Sequence, residues 1–480
     1  MAADTEVVID TRRLWVILLS RGRKTYLLAA GALLYWALAA MPQPSGLSRE
    51  GQKAIAAFGL CVFYWIFNVL PLMITSLLAI ILLPLTGVMR SGQAYALFGN
   101  EAVFFILGAF ILAACFMKSG LSTRIALTIL HRFGSTPRTL LLTVYLLNSI
   151  MAFFMSEHAV AAMNFPIVAE MVAVLGLQRL RSNYARALFL AMAWGTSIGG
   201  IATLLGGARA PLALGILREA TGQSYGFLEW TLLALPLVVV LMVAGYWIIL
   251  WFFPIEIDSI EGVEQLLNER WLKLGRATFE ERAIGTVMVL TLIGWVVGGE
   301  EFGLANIALA AVVSLFMLGV VTWRDIEHHV NWGVILMYGG AIALGAAINS
   351  SGAAAWLSKV TISHWASSGV TVVLLLSLIS LLLTEAMSHS AVVALLMPVS
   401  IGVAKEFGID PRLMAPVVAL PAGLAFTLPI GTPANAIAFS SGYLRMRDML
   451  LPGAVLELCA WVAFNLFAYW YWPLLGVHIP

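Results

Sequence analysis

Apolar runs about as long as a bilayer is thick recur along the whole chain, and its polar residues fall mostly between them. A helix needs about 20 apolar residues to cross the hydrocarbon core. The runs predict helices at about 25–41, 54–70, 71–89, 102–131, 184–222, 229–253, 283–298, 302–322, 331–361, 411–445 and 451–475. The two-residue alternation of a membrane barrel is absent, and a lone strand would leave its backbone polar groups unsatisfied in lipid. The pattern predicts an all-α polytopic membrane protein. From Glu256 to Arg282 the chain turns acidic and then mixed in charge, which places a connector with a small amphipathic helix outside the bilayer.

Two further apolar segments, about 139–177 and 371–404, are interrupted near the middle by polar residues that repeat. Residues 155–166 read MSEHAVAAMNFP and residues 387–398 read MSHSAVVALLMP, an offset of 387 − 155 = 232. The same offset relates LGAFILAACFMKSG from Leu107 to GGAIALGAAINSSG from Gly339, pairing Gly108 with Gly340 and Ser119-Gly120 with Ser351-Gly352. A duplicated membrane unit with polar residues at matching depths is how many carriers build a binding site between two halves. Thr139 to Ser156 is too short for a comfortable crossing, so each segment predicts a re-entrant helical hairpin with its tip near mid-membrane. The expected division is 1–53 for the N-terminal segment and first helix, 54–253 for repeat 1, 254–282 for the connector and 283–480 for repeat 2.

Charge sets the expected orientation. Arg12, Arg13, Arg21, Arg23 and Lys24 precede the first apolar run and place the N-terminus on the cytoplasmic side of a cell (inner) membrane; Asp4, Glu6 and Asp10 argue against a cleavable signal peptide. Arg132, Arg138, Arg179, Arg181 and Arg186 surround the first hairpin, so it is expected to open inward. ISHWASSG before the second hairpin has no Lys or Arg, and that hairpin is expected to open outward although Lys405 and Arg412 follow it. The two repeats would then be inverted. Tyr469, Trp470, Tyr471 and Trp472 form a cluster suited to a membrane interface. A net charge of +2 is too small to point to a nucleic-acid partner, and none is expected. Cys61, Cys115 and Cys459 lie in apolar stretches without CxxC spacing and read as buried thiols.

The candidate chemistry sits at the hairpin tips and in two glycine-broken helices. Glu157 and His158 follow Ser156, and His389 and Ser390 follow Ser388. Ionisable groups at that depth persist mostly where they face water, a partner charge or a substrate. SIGGIATLLGGARAP (197–211) and AGLAFTLPIGTPANA (422–436) read as interrupted helices, whose half-helix N-termini favour anions and whose freed carbonyls can coordinate sodium. Glu385 is expected to brace the second hairpin or pair with His389. Arg324, Asp325, Glu327, His328 and His329 read as an interfacial turn rather than a metal site, since nothing supplies a spaced ligand.

With these motifs in view the chain resembles the divalent anion:sodium symporters, the family of dicarboxylate, citrate and sulfate carriers, over nearly all its length from about residue 50. GTPANAIAFSSGY (431–443) resembles that family's Thr-Pro-Pro-Asn loop; NWGVILMYGGAIALGAAINSSG and SIGGIATLLG carry the rest. The resemblance implies a homodimer with a scaffold and a moving transport domain, elevator-type alternating access, and a small anion held with flanking sodium ions. It assigns substrate contacts to Ser156, Glu157, His158, Arg209, Ser388, His389, Ser390, Thr432, Pro433 and Asn435, and ion contacts to Ser156, Thr203, Gly206, Ser388, Gly431 and Asn435. Both Ser-Asn-Thr tips of the family are altered here, and Gly207-Ala208-Arg209-Ala210 replaces the first Thr-Pro-Pro-Asn loop.

A swap of charges accounts for these departures, with Arg209 supplying the positive charge of an absent sodium and Glu157 balancing it. Direct binding of an oxyanion by Arg209, and proton coupling through Glu157, His158 or His389, are further uses of the same residues. The expected function is a secondary carrier of a small anion, a dicarboxylate before sulfate or a sulfonate, coupled to sodium at fewer sites or to protons; the alternative is a sodium-independent exchanger. No cofactor is expected beyond sodium as coupling ion. An anion channel ranks lower, as does an intramembrane hydrolase, because HExxH and GxSxG are absent and Ser156 and His158 share one tip.

Overall fold

The computed structural model describes residues 14–361 and 368–479. Asp4, Glu6, Asp10, Arg12, Arg13 and residues 362–367 of the ISHWASSG stretch, used above for orientation, lie outside the described residues. The described chain is all helical. Seven of its helices are long and apolar enough to span a membrane.

The first half holds α1 (Leu14–Ala40), α2 (Arg49–Ile66), α3 (Leu72–Leu85), α4 (Ser91–Ala96), α5 (Glu101–Lys118), α6 (Leu121–Phe133), α7 (Pro137–Ala152), α8 (Glu157–Val174), α9 (Asn183–Gly199), α10 (Arg209–Thr221) and α11 (Phe227–Phe252). The polar insert contains α12 (Glu261–Lys273). There follow α13 (Phe279–Phe302), α14 (Leu304–Met317), α15 (Trp323–Ile326), α16 (Trp332–Ser350), α17 (Ala353–Thr361), α18 (Gly369–Thr384), α19 (His389–Glu406), α20 (Met414–Ala419), α21 (Pro433–Ser440) and α22 (Met446–Trp470).

The sequence repeat reappears as local structure. Helix α7 maps onto α18 and α8 onto α19 at both ends, since 369 − 137, 384 − 152, 389 − 157 and 406 − 174 all equal 232. Ser156 and Ser388 share one backbone conformation, φ −63°, ψ 145° and φ −65°, ψ 144°, and each hydroxyl accepts the N–H three residues on. These serines are N-caps, so the two tips start their second arms in the same way. The expected single helices 102–131 and 331–361 are each split in two. Gly120 (φ +82°) and Gly352 (φ +76°) turn left-handed at the break, a conformation that costs glycine least.

Polar groups and small residues set how the elements pack. Asn148 of α7 receives Asn164 Nδ2 of α8 at 2.9 Å and the Thr196 hydroxyl of α9 at 3.4 Å, while its own amide donates to the Val144 carbonyl at 2.8 Å. Each such bond contributes about 1 kcal/mol net and joins three helices where no water competes. Arg124 of α6 clasps Glu281 of α13 through Nε at 2.9 and 3.0 Å and donates to the Gly275 and Leu274 carbonyls at 2.9 Å. It ties α6 to the connector and to the start of the second half.

Large apolar side chains left outside, Trp247 and Trp251 on α11, Val297 on α13 and Leu458 on α22, mark faces suited to lipid. The C-terminal aromatic cluster divides, against the expectation of four interfacial rings. Tyr469 and Trp470 are exposed, whereas Trp472 is buried with its indole N–H donating to the Leu233 carbonyl at 3.3 Å. The chain leaves α22 by folding back onto α11, where the Tyr471 hydroxyl also donates to the Leu232 carbonyl.

Candidate functional site

The two hairpin tips and two broken helices meet at one place. Helix α9 ends at Gly199, the chain runs irregularly through Thr203 and Gly206, and α10 begins at Arg209 with Pro211 in its first turn, where a missing N–H costs nothing. The first tip is sewn to this break. The Glu157 N–H donates to the Gly206 carbonyl at 3.0 Å, and the Thr203 hydroxyl donates to the Phe153 carbonyl at 2.6 Å. From outside the break, the Tyr338 hydroxyl of α16 donates to the Ala208 carbonyl.

Arg209 and Glu157 are nearly sealed from solvent, at 2% and 3% exposure, and Arg209 Nη1 lies 2.6 Å from Glu157 Oε1. Both start helices. Glu157 sits at the N-terminus of α8, where the dipole favours a carboxylate, but Arg209 sits at the N-terminus of α10, where it disfavours a cation. The carboxylate therefore stabilises a guanidinium that its own helix does not. The walls of the slot are glycine: an added Cβ at Gly200 would lie 2.6 Å from Glu157 Cγ, and one at Gly423 would lie 2.6 Å from Arg209 Nη2.

The second tip completes the cluster. Arg209 Nη1 lies 3.3 Å from His389 Nδ1, and His389 Nε2 lies 3.0 Å from the Gly431 carbonyl. A carbonyl accepts only, so Nε2 carries the proton and Nδ1 accepts from the guanidinium; His389 is the neutral imidazole in this arrangement. Glu157 Oε2 stands 3.7 Å from the same Nδ1. One contiguous group thus joins both halves of the repeat.

Other candidates are placed differently. His158 and Ser388 are exposed, as is Pro433; Ser156 is half-buried and Ser390 buried. Thr432 is buried, its hydroxyl accepting the Asn435 N–H at 2.9 Å as the N-cap of α21. Asn435 is fully buried, donates to the Ala425 and Leu428 carbonyls at 3.2 and 3.3 Å, and leaves Oδ1 without a donor.

These details test each half for a cation. In the first, the Thr203 hydroxyl donates to the Phe153 carbonyl, the Gly206 carbonyl accepts the Glu157 N–H, and the Arg209 guanidinium is paired with Glu157, so a sodium ion there would face a fixed positive charge. In the second, the buried amide oxygen Asn435 Oδ1 stands without a donor beside an unwound segment, one ligand that a cation there would find.

Glu385 does not pair with His389; it braces the second broken helix, accepting the Thr427 and Leu428 N–H groups at 3.1 and 2.7 Å. Residue reading missed Glu457, Thr427, Tyr338 and Gly423. Glu457 had a readable signal, being the acid at the centre of the long apolar helix α22. Asp325 is a turn residue: the Thr322 hydroxyl at 2.7 Å, the Thr322 N–H and Lys118 at 3.4 Å hold its carboxyl below the usual carboxylate range. Among the described residues no group of three or more His, Cys, Asp or Glu is arranged to hold a metal. The three cysteines are free thiols.

The chain is 28% identical to the sodium-dependent dicarboxylate transporter SdcS of Staphylococcus saprophyticus over 484 residues, 94% of this chain and 92% of that protein. It is also 28% identical to SdcS of Staphylococcus aureus over 482 residues, with the same coverage of each. In fold it is similar to the Neisseria gonorrhoeae antimetabolite efflux pump MtrF (TM-score 0.56, 16% identity, 95% of each chain) and to the Alcanivorax borkumensis transporter YdaH (0.54, 15%, 93% and 96%). The pattern of the sodium:sulfate symporter transmembrane region matches residues 23–478. The duplicated hairpins, the broken helices and this match over nearly the whole chain identify it: the chain belongs to the sodium:sulfate symporter family and is a membrane transporter of anions, not an enzyme.

Proposed function

We propose that this protein is a secondary carrier of a C4-dicarboxylate in which the Glu157–Arg209 pair does the work of a coupling cation in the first half, leaving one sodium at the second. The observation that carries this reading is the 2.6 Å contact of two nearly unexposed charges where the Thr203 and Gly206 oxygens are already engaged. A fixed guanidinium supplies permanent positive charge at the N-termini of α8 and α10, where a sodium ion would otherwise be drawn from solution.

In the second half, Asn435 Oδ1, with Ser388 and Gly431 beside it in the sequence assignment, would hold the sodium, which supplies charge to the anion beside it. The anion itself is received by the exposed tip groups Ser388 and His158, half-buried Ser156 and the start of α21 at Thr432 and Pro433. The dicarboxylate specificity is read across from SdcS. A homodimeric assembly and an elevator-type stroke are read across from the family resemblance, and a cytoplasmic N-terminus in the cell membrane with inverted repeats completes the proposal; positive charge around the first hairpin and the matched tips support the inverted repeats.

The experiment is a thermal-shift series on purified protein with C4-dicarboxylates, tricarboxylates, sulfate and sulfonates, each in sodium and in choline. Binding to the folded state raises the melting temperature by mass action, with about 2.7 kcal/mol of stabilisation at a hundredfold excess over Kd. A C4-dicarboxylate is expected to give the largest shift, and that shift is expected to grow with sodium. Stabilisation by sulfate alone would overturn the substrate assignment.

A further inference from the structure

The second broken helix holds a pair of acids that the carrier reading leaves unused. Glu385 ends α18 and Glu457 lies mid-way along α22, yet their carboxyl groups converge on one N–H, that of Thr427, at 3.1 and 2.9 Å. Glu385 also accepts from Leu428, and Glu457 from the Phe426 N–H at 2.9 Å and the Thr427 hydroxyl. The two carboxyl groups thus share one donor, and each residue is 8% exposed.

Among the described residues no basic side chain pairs with them. From α19 and α10 the nearest charged or titratable groups are His389, behind the Gly431 carbonyl, and Arg209, against Gly423 and already paired with Glu157. From α11, Glu229 is engaged by Arg412 and Tyr246 by the Arg138 carbonyl; from α9, Arg186 faces Asp448. Helix α20 and the turn through Gly423 carry no titratable residue. Fully buried Asn435 clamps the Ala425 and Leu428 carbonyls on either side of Thr427, which fixes the turn that the two acids share. Counting the buried charges here, one guanidinium stands against three carboxyl groups.

We propose that Glu385 and Glu457 form a proton-binding site whose single proton is taken up and released in each transport cycle, an inference that rests on the carrier reading above. Two carboxylates in contact at low dielectric repel, and one proton between them turns repulsion into a short O–H···O⁻ bond. A proton from water adds to one carboxyl oxygen and returns to water on the other side; no other reactant is needed. Its loss pushes the acids apart across Thr427, in the turn that leads to Gly431, whose carbonyl holds His389. The charge state of the pair is thereby linked to the shape of the substrate site.

The test uses the full chain in proteoliposomes with succinate as probe, equal sodium on both sides, and an inward proton gradient set above the substrate's own carboxyl range. One coupled proton shifts steady-state accumulation by about tenfold per pH unit, and a pH-sensitive dye should record proton entry with succinate. In Glu457→Gln the amide keeps the contact to Glu385 but carries no exchangeable charge, so the gradient response should vanish; Glu385→Gln serves equally if the first variant fails to melt as a folded protein. Succinate uptake by the wild type without a gradient response or proton entry overturns the inference and leaves the carrier reading standing. Persistence of the response in either folded variant also overturns it. Absence of succinate binding and uptake altogether would instead sink the carrier reading.

Discussion

Arg209→Met, with Glu157 left in place, is expected to lower stability by roughly 3–5 kcal/mol, because removing one partner of a buried ion pair strands the other charge without solvent. The contact is tight and both groups are almost wholly unexposed, so little water can enter to compensate. Glu157→Gln combined with Arg209→Met should recover most of that loss, since a neutral pair of similar volume leaves no buried charge. Melting transitions of the three proteins in one detergent give the comparison. Equal losses in the single and double variants would mean that Arg209 acts through packing rather than charge.

Gly200→Ala is expected to disable transport while leaving most of the fold intact. Its Cβ would lie 2.6 Å from Glu157 Cγ and 2.8 Å from Cδ, and Glu157 cannot swing away while Arg209 and the Gly206 carbonyl hold it. Overpacking of this kind costs about 1–3 kcal/mol, and here the cost falls on the geometry of the pair. A loss of roughly ten- to hundredfold in substrate affinity follows if that energy is taken from the binding-competent state. Substrate titrations on the folded variant read this directly; unchanged affinity would show that the slot tolerates displacement of the carboxylate.

Much of the architecture was legible because the repeat imposes itself on backbone as well as sequence. MSEHAVAAMNFP and MSHSAVVALLMP predict the same cap and the same turn, and Ser156 and Ser388 adopt backbone angles within a few degrees of each other. Ser119-Gly120 and Ser351-Gly352 stand in the sequence as paired motifs, but the apolar runs continue through them and predict one helix where there are two. Hydropathy carries no sign of a left-handed glycine. The site was legible as a set of residue types, Glu157, Arg209 and His389 being conspicuous in apolar surroundings. Their mutual contact was not, because it depends on the first broken helix coming within reach of the second hairpin tip, 180 residues away in sequence.

Glu457 shows the opposite case. It stands alone at the centre of an apolar span, a position that marks function on energetic grounds, yet nothing near it in sequence names a partner. That partner, the Thr427 turn and Glu385 behind it, arrives through the fold. Likewise Gly423 reads as one more membrane glycine until Arg209 is seen lying against it.

The central claim is that a protein charge stands where a coupling cation would be needed in the first half. Initial rates of C4-dicarboxylate uptake into proteoliposomes, measured against sodium with choline as replacement, test it most directly. A hyperbolic dependence with a Hill coefficient of about one is predicted, abolished by Asn435→Ala in the second half. A sigmoidal dependence with a coefficient of about two or more, falling when Thr203 is replaced by valine, would contradict it.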